Sequence, residues 1–288
     1  MEESLQRLKN EFRKNLYATY GLMGILILGL FFAITKNLPL SVLFVAGALA
    51  YQIFVIPWLR HRYEKLMNKE NITHTICRQL NGAVQDEKGG AGLTADMIAG
   101  AELLPHFESG KSPFSAFVGV SGTDRKTRVI AADVALNDTF TNLKGQKKGF
   151  ANTGCWIHAE FPEKTGYDLR VLGDGPLLIN MEDDFTEKYP DLVRISSGKA
   201  NVPDTLHVYA QADTPLPGEE FFRKLKNLAG YTSGEVWMSL RDNHADFFLR
   251  NRFLAARVNN RTAPTREMIA LDPLPEFRRV LEILKEVH

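Results

Sequence analysis

Residues 15–59 read NLYATYGLMGILILGLFFAITKNLPLSVLFVAGALAYQIFVIPWL, and Lys36 is the only charged side chain among them. A helix needs about 20 residues at about 1.5 Å each to cross a hydrocarbon core of about 30 Å. The charge-free runs Asn15–Thr35 and Asn37–Leu59 both meet that length. Core helices that are apolar all round are usually shorter, and two in tandem are rarer, so the pair predicts two transmembrane helices. The link Lys36-Asn37-Leu38-Pro39 forces an antiparallel hairpin, with Asn37 placed to cap the second helix and Pro39 suited to its first turn. A second apolar run following at once argues against a cleaved signal peptide.

Working outward, Tyr17, Tyr20, Tyr51 and Trp58 lie toward the run ends, where aromatic rings favour the membrane interface. Arg7, Lys9, Arg13 and Lys14 precede the first run, and Arg60, Arg62, Lys65 and Lys69 follow the second. The excess of basic flanks over the loop predicts an inner (plasma) membrane protein with both termini cytoplasmic. Gly29 with Ala33, and Ala46 with Ala50, are small residues four apart, a spacing that lets helices approach within a hairpin or between subunits. The absence of charge inside either run argues against a transporter built from this hairpin alone.

Beyond Arg60 the apolar positions Tyr63, Leu66, Ile72, Ile76 and Leu80 suit a stalk helix, and Glu87–Gly92 a loop. Leu93–Leu104 suits a short helix stopped by Pro105. Strands are expected at Phe114–Val120, Thr127–Val134, Cys155–Phe161, Asp168–Val171, Leu177–Asn180, Val193–Ile195 and Thr205–Ala210, with a hairpin turn at Ser121–Lys126. Gly218–Leu228 and Pro273–Val287 carry helical apolar faces, and Val236–Leu240 and Ala245–Leu249 flank the turn Arg241-Asp242-Asn243-His244. Strand runs interrupted by isolated helices predict a mixed, mainly antiparallel α+β domain. The organisation expected is a cytoplasmic tail at 1–15, a transmembrane hairpin at 16–59, a stalk helix and linker at 60–92, and a cytoplasmic α+β domain at 93–288.

The 288 residues hold 35 Lys and Arg against 34 Asp and Glu. A nucleic-acid binder shows a strong basic excess, so no nucleic acid is expected. One local exception is the acid-free segment 247–266 with Arg250, Arg252, Arg257, Arg261 and Arg266. As a solvated loop it has no function. As a surface it could meet anionic lipid or a polyanionic ligand.

Cys77 and Cys155 would be reduced in a cytoplasmic domain. Each has a histidine three residues away (His74 and His158), the donor set of a Cys2His2 zinc site. On a strand, however, Cys155 and His158 face opposite ways, so no metal is expected and no cofactor either. Gly145–Gly149 lacks the phosphate-loop spacing, and neither Gly-x-Ser-x-Gly nor His-Glu-x-x-His occurs. The run Glu182-Asp183-Asp184 suits a solvated loop better than a cation site, and His207 and His244 show no identifiable partner. No catalytic residue is assigned.

Several stretches carry a family likeness: the leader Ala101–Gly110, the strand Val129–Leu136, the loop and strand Gly145–Phe161, the turn Phe185–Pro190, and the helix with hairpin Glu219–Phe248. In their order the chain resembles an uncharacterised bacterial membrane family, domain-of-unknown-function family 3137, over most of its length, departing from it at Ser112-Pro113-Phe114. The resemblance implies two close membrane helices, a linker helix and one α+β cytoplasmic domain. That family has no established activity, so the resemblance implies no site residue.

The function expected is a membrane-anchored cytoplasmic binding or scaffold protein, oligomeric, with the lipid bilayer, further copies of itself and a cytoplasmic protein or small-molecule ligand as partners. The alternative is a ligand-sensing effector that perturbs the bilayer through its hairpin.

Overall fold

The computed structural model describes residues 1–141, 147–173, 178–196, 202, 206–233, 235–255 and 262–287. The chain divides into two compact units, Met1–His74 with Ala256–Leu271, and Thr75–Ala255 with Asp272–His288.

The first unit is helical. Helix α1 (Glu2–Ile34) turns at Lys36, whose φ is +60°, into α2 (Leu38–Ala50). A π-turn (Tyr51–Val55) joins α2 to α3 (Ile56–His74). Pro57 explains the π-turn: proline has no N–H, and its ring would strike the carbonyl of Ile53 in a regular helix. Asn37 stands at the N-cap of α2 with Pro39 in the first turn, but the Asn37 side chain makes no capping bond. Gly29 lets α2 close on α1, since a Cβ there would sit 3.3 Å from Cβ of Phe44. The Ser41 hydroxyl donates to the Gly29 carbonyl at 3.0 Å. At the charged ends, Leu5, Leu8, Tyr63 and Met67 form a small core with Ile269 of α7 (Arg266–Ala270).

The second unit is one nine-stranded sheet, ordered β1-β2-β3-β4-β9-β8-β5-β7-β6, every pairing among the described residues antiparallel. Its strands are β1 (Asn81–Asp86), β2 (Phe114–Asp124), β3 (Thr127–Thr141), β4 (Lys147–Glu160), β5 (Asp168–Gly173), β6 (Val193–Arg194), β7 (Leu206–Ala210), β8 (Val236–Arg241) and β9 (His244–Arg250). Helices α4 (Ala95–Gly100), α5 (Leu178–Lys188), α6 (Glu219–Tyr231) and α8 (Glu276–Leu284) complete it. Cys155, Trp156 and Ile157 are all sealed, so both faces of β4 are covered. One face packs Ile130, Trp156, Phe248 and Trp237 against Leu103, Leu104, Phe107 and Phe185. The fold is thus α+β with a mainly antiparallel sheet, as the strand pattern led one to expect.

Four local expectations are corrected. The stalk and linker region contains β1, because Asn81–Asp86 finds a partner in the far half of β2. That same pairing extends β2 through Ser121–Asp124, so the expected six-residue turn shrinks to Arg125-Lys126, with Arg125 at φ +55°. Leu177–Asn180 is not a strand: Leu178 begins α5, whose Leu178, Met181 and Phe185 have helical spacing, and Leu177 lies outside the described residues. The same helix replaces the turn expected at Phe185–Pro190 as far as Lys188.

Candidate functional site

Antiparallel register brings polar residues from five strands into one row across the sheet: His158 on β4, Asp246 on β9, Ser239 on β8, Arg170 on β5 and Tyr209 on β7. Facing pairs share a side of the sheet, and so do residues two apart on one strand. Trp156, Phe248 and Trp237 therefore flank the row on its core side. Arg128, Glu160, His244, Arg241 and Asp168 form the charged row on the other.

Asp246 is the centre, with no exposed surface. Its Oδ1 accepts from Trp156 Nε1 at 2.8 Å and from His158 Nδ1 at 2.9 Å. Its Oδ2 lies 4.0 Å from His244 Nε2. The two imidazoles lie 5.8 Å apart. Burial pulls the His158 proton affinity down, but the Asp246 hydrogen bond and charge, helped by Glu160, outweigh it and raise the pKa. Burial lowers the pKa of His244, and the Asp246 charge offsets this only in part. The two histidines thus titrate apart although they face one carboxylate.

Next along the row, Arg170 is almost fully buried. Its guanidinium donates to Asp168 and to Glu102, both at 2.6 Å, and Glu102 also pairs with Arg241 at 2.6 Å. Glu102 adopts φ +53°, unusual for a side chain of its size. The chain leaves α4 sooner than the sequence implies, placing this carboxylate between two arginines and burying Leu103 and Leu104. Ser239 Oγ, Asp246 Oδ2 and Arg170 Nε are buried with no hydrogen-bond partner among the described residues. Each such atom costs roughly 1–3 kcal/mol.

Chemically, His158 is oriented through Nδ1 with Nε2 remaining, as in a general base. Ser239 lies on the far side of Asp246, so this imidazole cannot take its proton, and the row is not a Ser-His-Asp relay. Cys155 faces the opposite side of β4, and burial pushes its thiol well up. His74 stands 3.6 Å from Glu70 on α3. The two Cys/His pairs do not converge, and no group of three metal-donor side chains occurs among the described residues.

Other sequence candidates have ordinary partners. The acidic run is helical and tied down rather than a solvated loop: Glu182 accepts from His207 Nδ1 at 3.0 Å and from the Tyr209 hydroxyl, and Asp184 meets His106 at 3.0 Å. His207 therefore has the partner its sequence context did not reveal. Arg250 pairs with Glu235 at 3.2 Å, Arg252 with Glu276 at 3.5 Å, and Arg266 with Glu2. Arg257 and Arg261 lie outside the described residues. Of the small hairpin residues, Gly29 is inside the hairpin, whereas Ala33, Ala46 and Ala50 are exposed and Ala48 is buried instead. Asp246, Trp156, Arg170 and Glu102 escaped the sequence reading. The available signal was an acid inside the otherwise apolar strand Ala245–Leu249, which burial tolerates only when paired.

No protein-family model, no curated protein and no solved structure matches the chain.

Proposed function

We propose that the chain is a membrane-anchored binding module: α1 and α2 with the start of α3 cross the inner membrane, both termini are cytoplasmic, and the sheet unit recognises a partner there. The observation that carries this reading is the exposure of the hairpin. Only 11% of the apolar window of either helix is buried, against the sealed apolar residues of a soluble core helix. Ile34 is 72% exposed and Phe54 71%. The basic residues on both flanks support the orientation. Binding rather than turnover is supported by the internal use of the row's carboxylates: Asp246 and Glu102 are held by side chains of the domain itself.

The test is sedimentation of full-length protein after alkaline carbonate washing, with protease added to intact and to opened spheroplasts. Retention in the pellet, with the sheet unit cut only in opened spheroplasts, is expected. Release by carbonate, or cutting from outside intact cells, would overturn the reading. Crosslinking of the retained protein should then capture a defined cytoplasmic partner or a second copy.

A further inference from the structure

In the helical unit a cavity of about 240 Å³ opens where the charged start of α1 passes into its apolar run. Phe12, Leu16, Ala18 and Ile56 supply its apolar lining, and Asn15, Thr19 and Arg60 its polar lining. Ile56 follows directly on the π-turn that Pro57 imposes, so this wall sits where the helix is locally widened. Such turns recur at functional sites.

Among the described residues, Arg60 is the one charged residue lining the cavity. Lys14 and Arg62 both hold Glu11, at 2.7 and 3.3 Å, and Arg266 holds Glu2. Arg60 has no acidic partner among the described residues. The Thr19 hydroxyl already donates to the Asn15 carbonyl at 3.0 Å, so the donors left are the Asn15 amide and the Arg60 guanidinium. Two donors beside an apolar wall match an anionic ester with a hydrocarbon neighbour. The volume is that of roughly eight water molecules. It accommodates a phosphate and its glycerol but not acyl chains, which would stay in the surrounding hydrocarbon. A choline headgroup would bring a second cation toward Arg60.

We infer that this cavity binds the headgroup of one anionic phospholipid, phosphate on Arg60 and Asn15, glycerol against Phe12, Leu16 and Ile56. The inference rests on the membrane reading above, which sets the cavity at the depth of the headgroups.

The test is native mass spectrometry of the full-length protein released from mixed phosphatidylglycerol and phosphatidylcholine nanodiscs, with carbonate extraction run in parallel. One retained phosphatidylglycerol per chain is expected. Arg60→Gln should weaken its retention by at least about tenfold, as for loss of a charge-assisted hydrogen bond. Arg62→Gln, equally near the bilayer but engaged by Glu11, should leave it unchanged. Equal loss in both variants would mean diffuse attraction and overturn the site, as would equal retention of phosphatidylcholine. Binding of glycerol phosphate in detergent as tightly as the lipid would overturn a lipid in favour of a free anion. Protein that stays in the carbonate pellet while failing these lipid tests refutes the site alone. Protein extracted by carbonate refutes the membrane reading and the site with it.

Discussion

In the hairpin Ile27, Leu30, Ile34 and Phe54 are each more than 60% exposed, while in the sheet unit Trp156, Phe247 and Phe248 have almost no exposed surface. Polar groups are disposed the opposite way. The hairpin keeps its charges at the ends of the helices, whereas the sheet unit carries Asp133, Arg170 and Asp246 inside. Side chains of the same kinds thus answer to different surroundings. Burial in the sheet unit removes apolar area from water at roughly 25 cal/mol per Å². The hairpin forgoes that gain, which is consistent with a lipid solvent and leaves close packing and hydrogen bonds such as Ser41 to Gly29 to hold α2 against α1.

The contrast breaks most easily at Gly154. A Cβ there would overlap the Leu249 carbonyl and come within 2.9 Å of the Arg250 Cα on β9. Gly154→Val should therefore destabilise the sheet unit by about 4 kcal/mol. Hydrogen exchange should rise across β4 and β9, with no change in carbonate retention if the hairpin anchors independently. Asp246→Ala comes next, at about 3 kcal/mol, because it strands the His158 and Trp156 N–H groups in the interior. Urea unfolding measures it, and Asp246→Asn, which keeps an acceptor oxygen, should cost distinctly less.

Asp133 gives a pH test. Burial raises its pKa from 3.8 to about 6, against the lowering effect of the Ala255 and Leu254 N–H groups that its carboxylate accepts. A raised acid pKa contributes stability that is complete below 3.8 and is lost as pH climbs through about 6. The loss is at most about 3 kcal/mol. Asp133→Asn should flatten the stability profile between these two pH values, and an unchanged profile would refute the assignment. His158 has the same sign: its raised pKa contributes stability present in acid and lost on passing above the folded pKa. The smallest effect is expected in the hairpin. Ser41→Ala removes the bond to Gly29 and should cost about 0.6 kcal/mol in detergent or lipid. An effect as large as that of Asp246→Ala would erase the distinction between the units.

Local patterns foretold much of this. The apolar runs, the helix Glu219–Tyr231 and the hairpin at Asp242-Asn243 follow from periodicity and turn chemistry over a few residues. The misreadings arose where a distant partner intervened. Asn81–Asp86 is extended because β2 receives it, and Leu178–Lys188 is helical with its acids against His106, His207 and Tyr209.

The sequence by itself determined that two long apolar helices lead the chain, that they turn back at Lys36, and that strands interrupted by isolated helices follow. Those properties depend on side chains within a turn or two of one another. Only the tertiary structure decided that β4 lies beside β9. That pairing sets His158 against Asp246 across 88 residues of chain and gives the carboxylate its partners. Such a pairing is selected by how whole strands bury their faces and satisfy their backbones together, a collective quantity that no short window of residues contains.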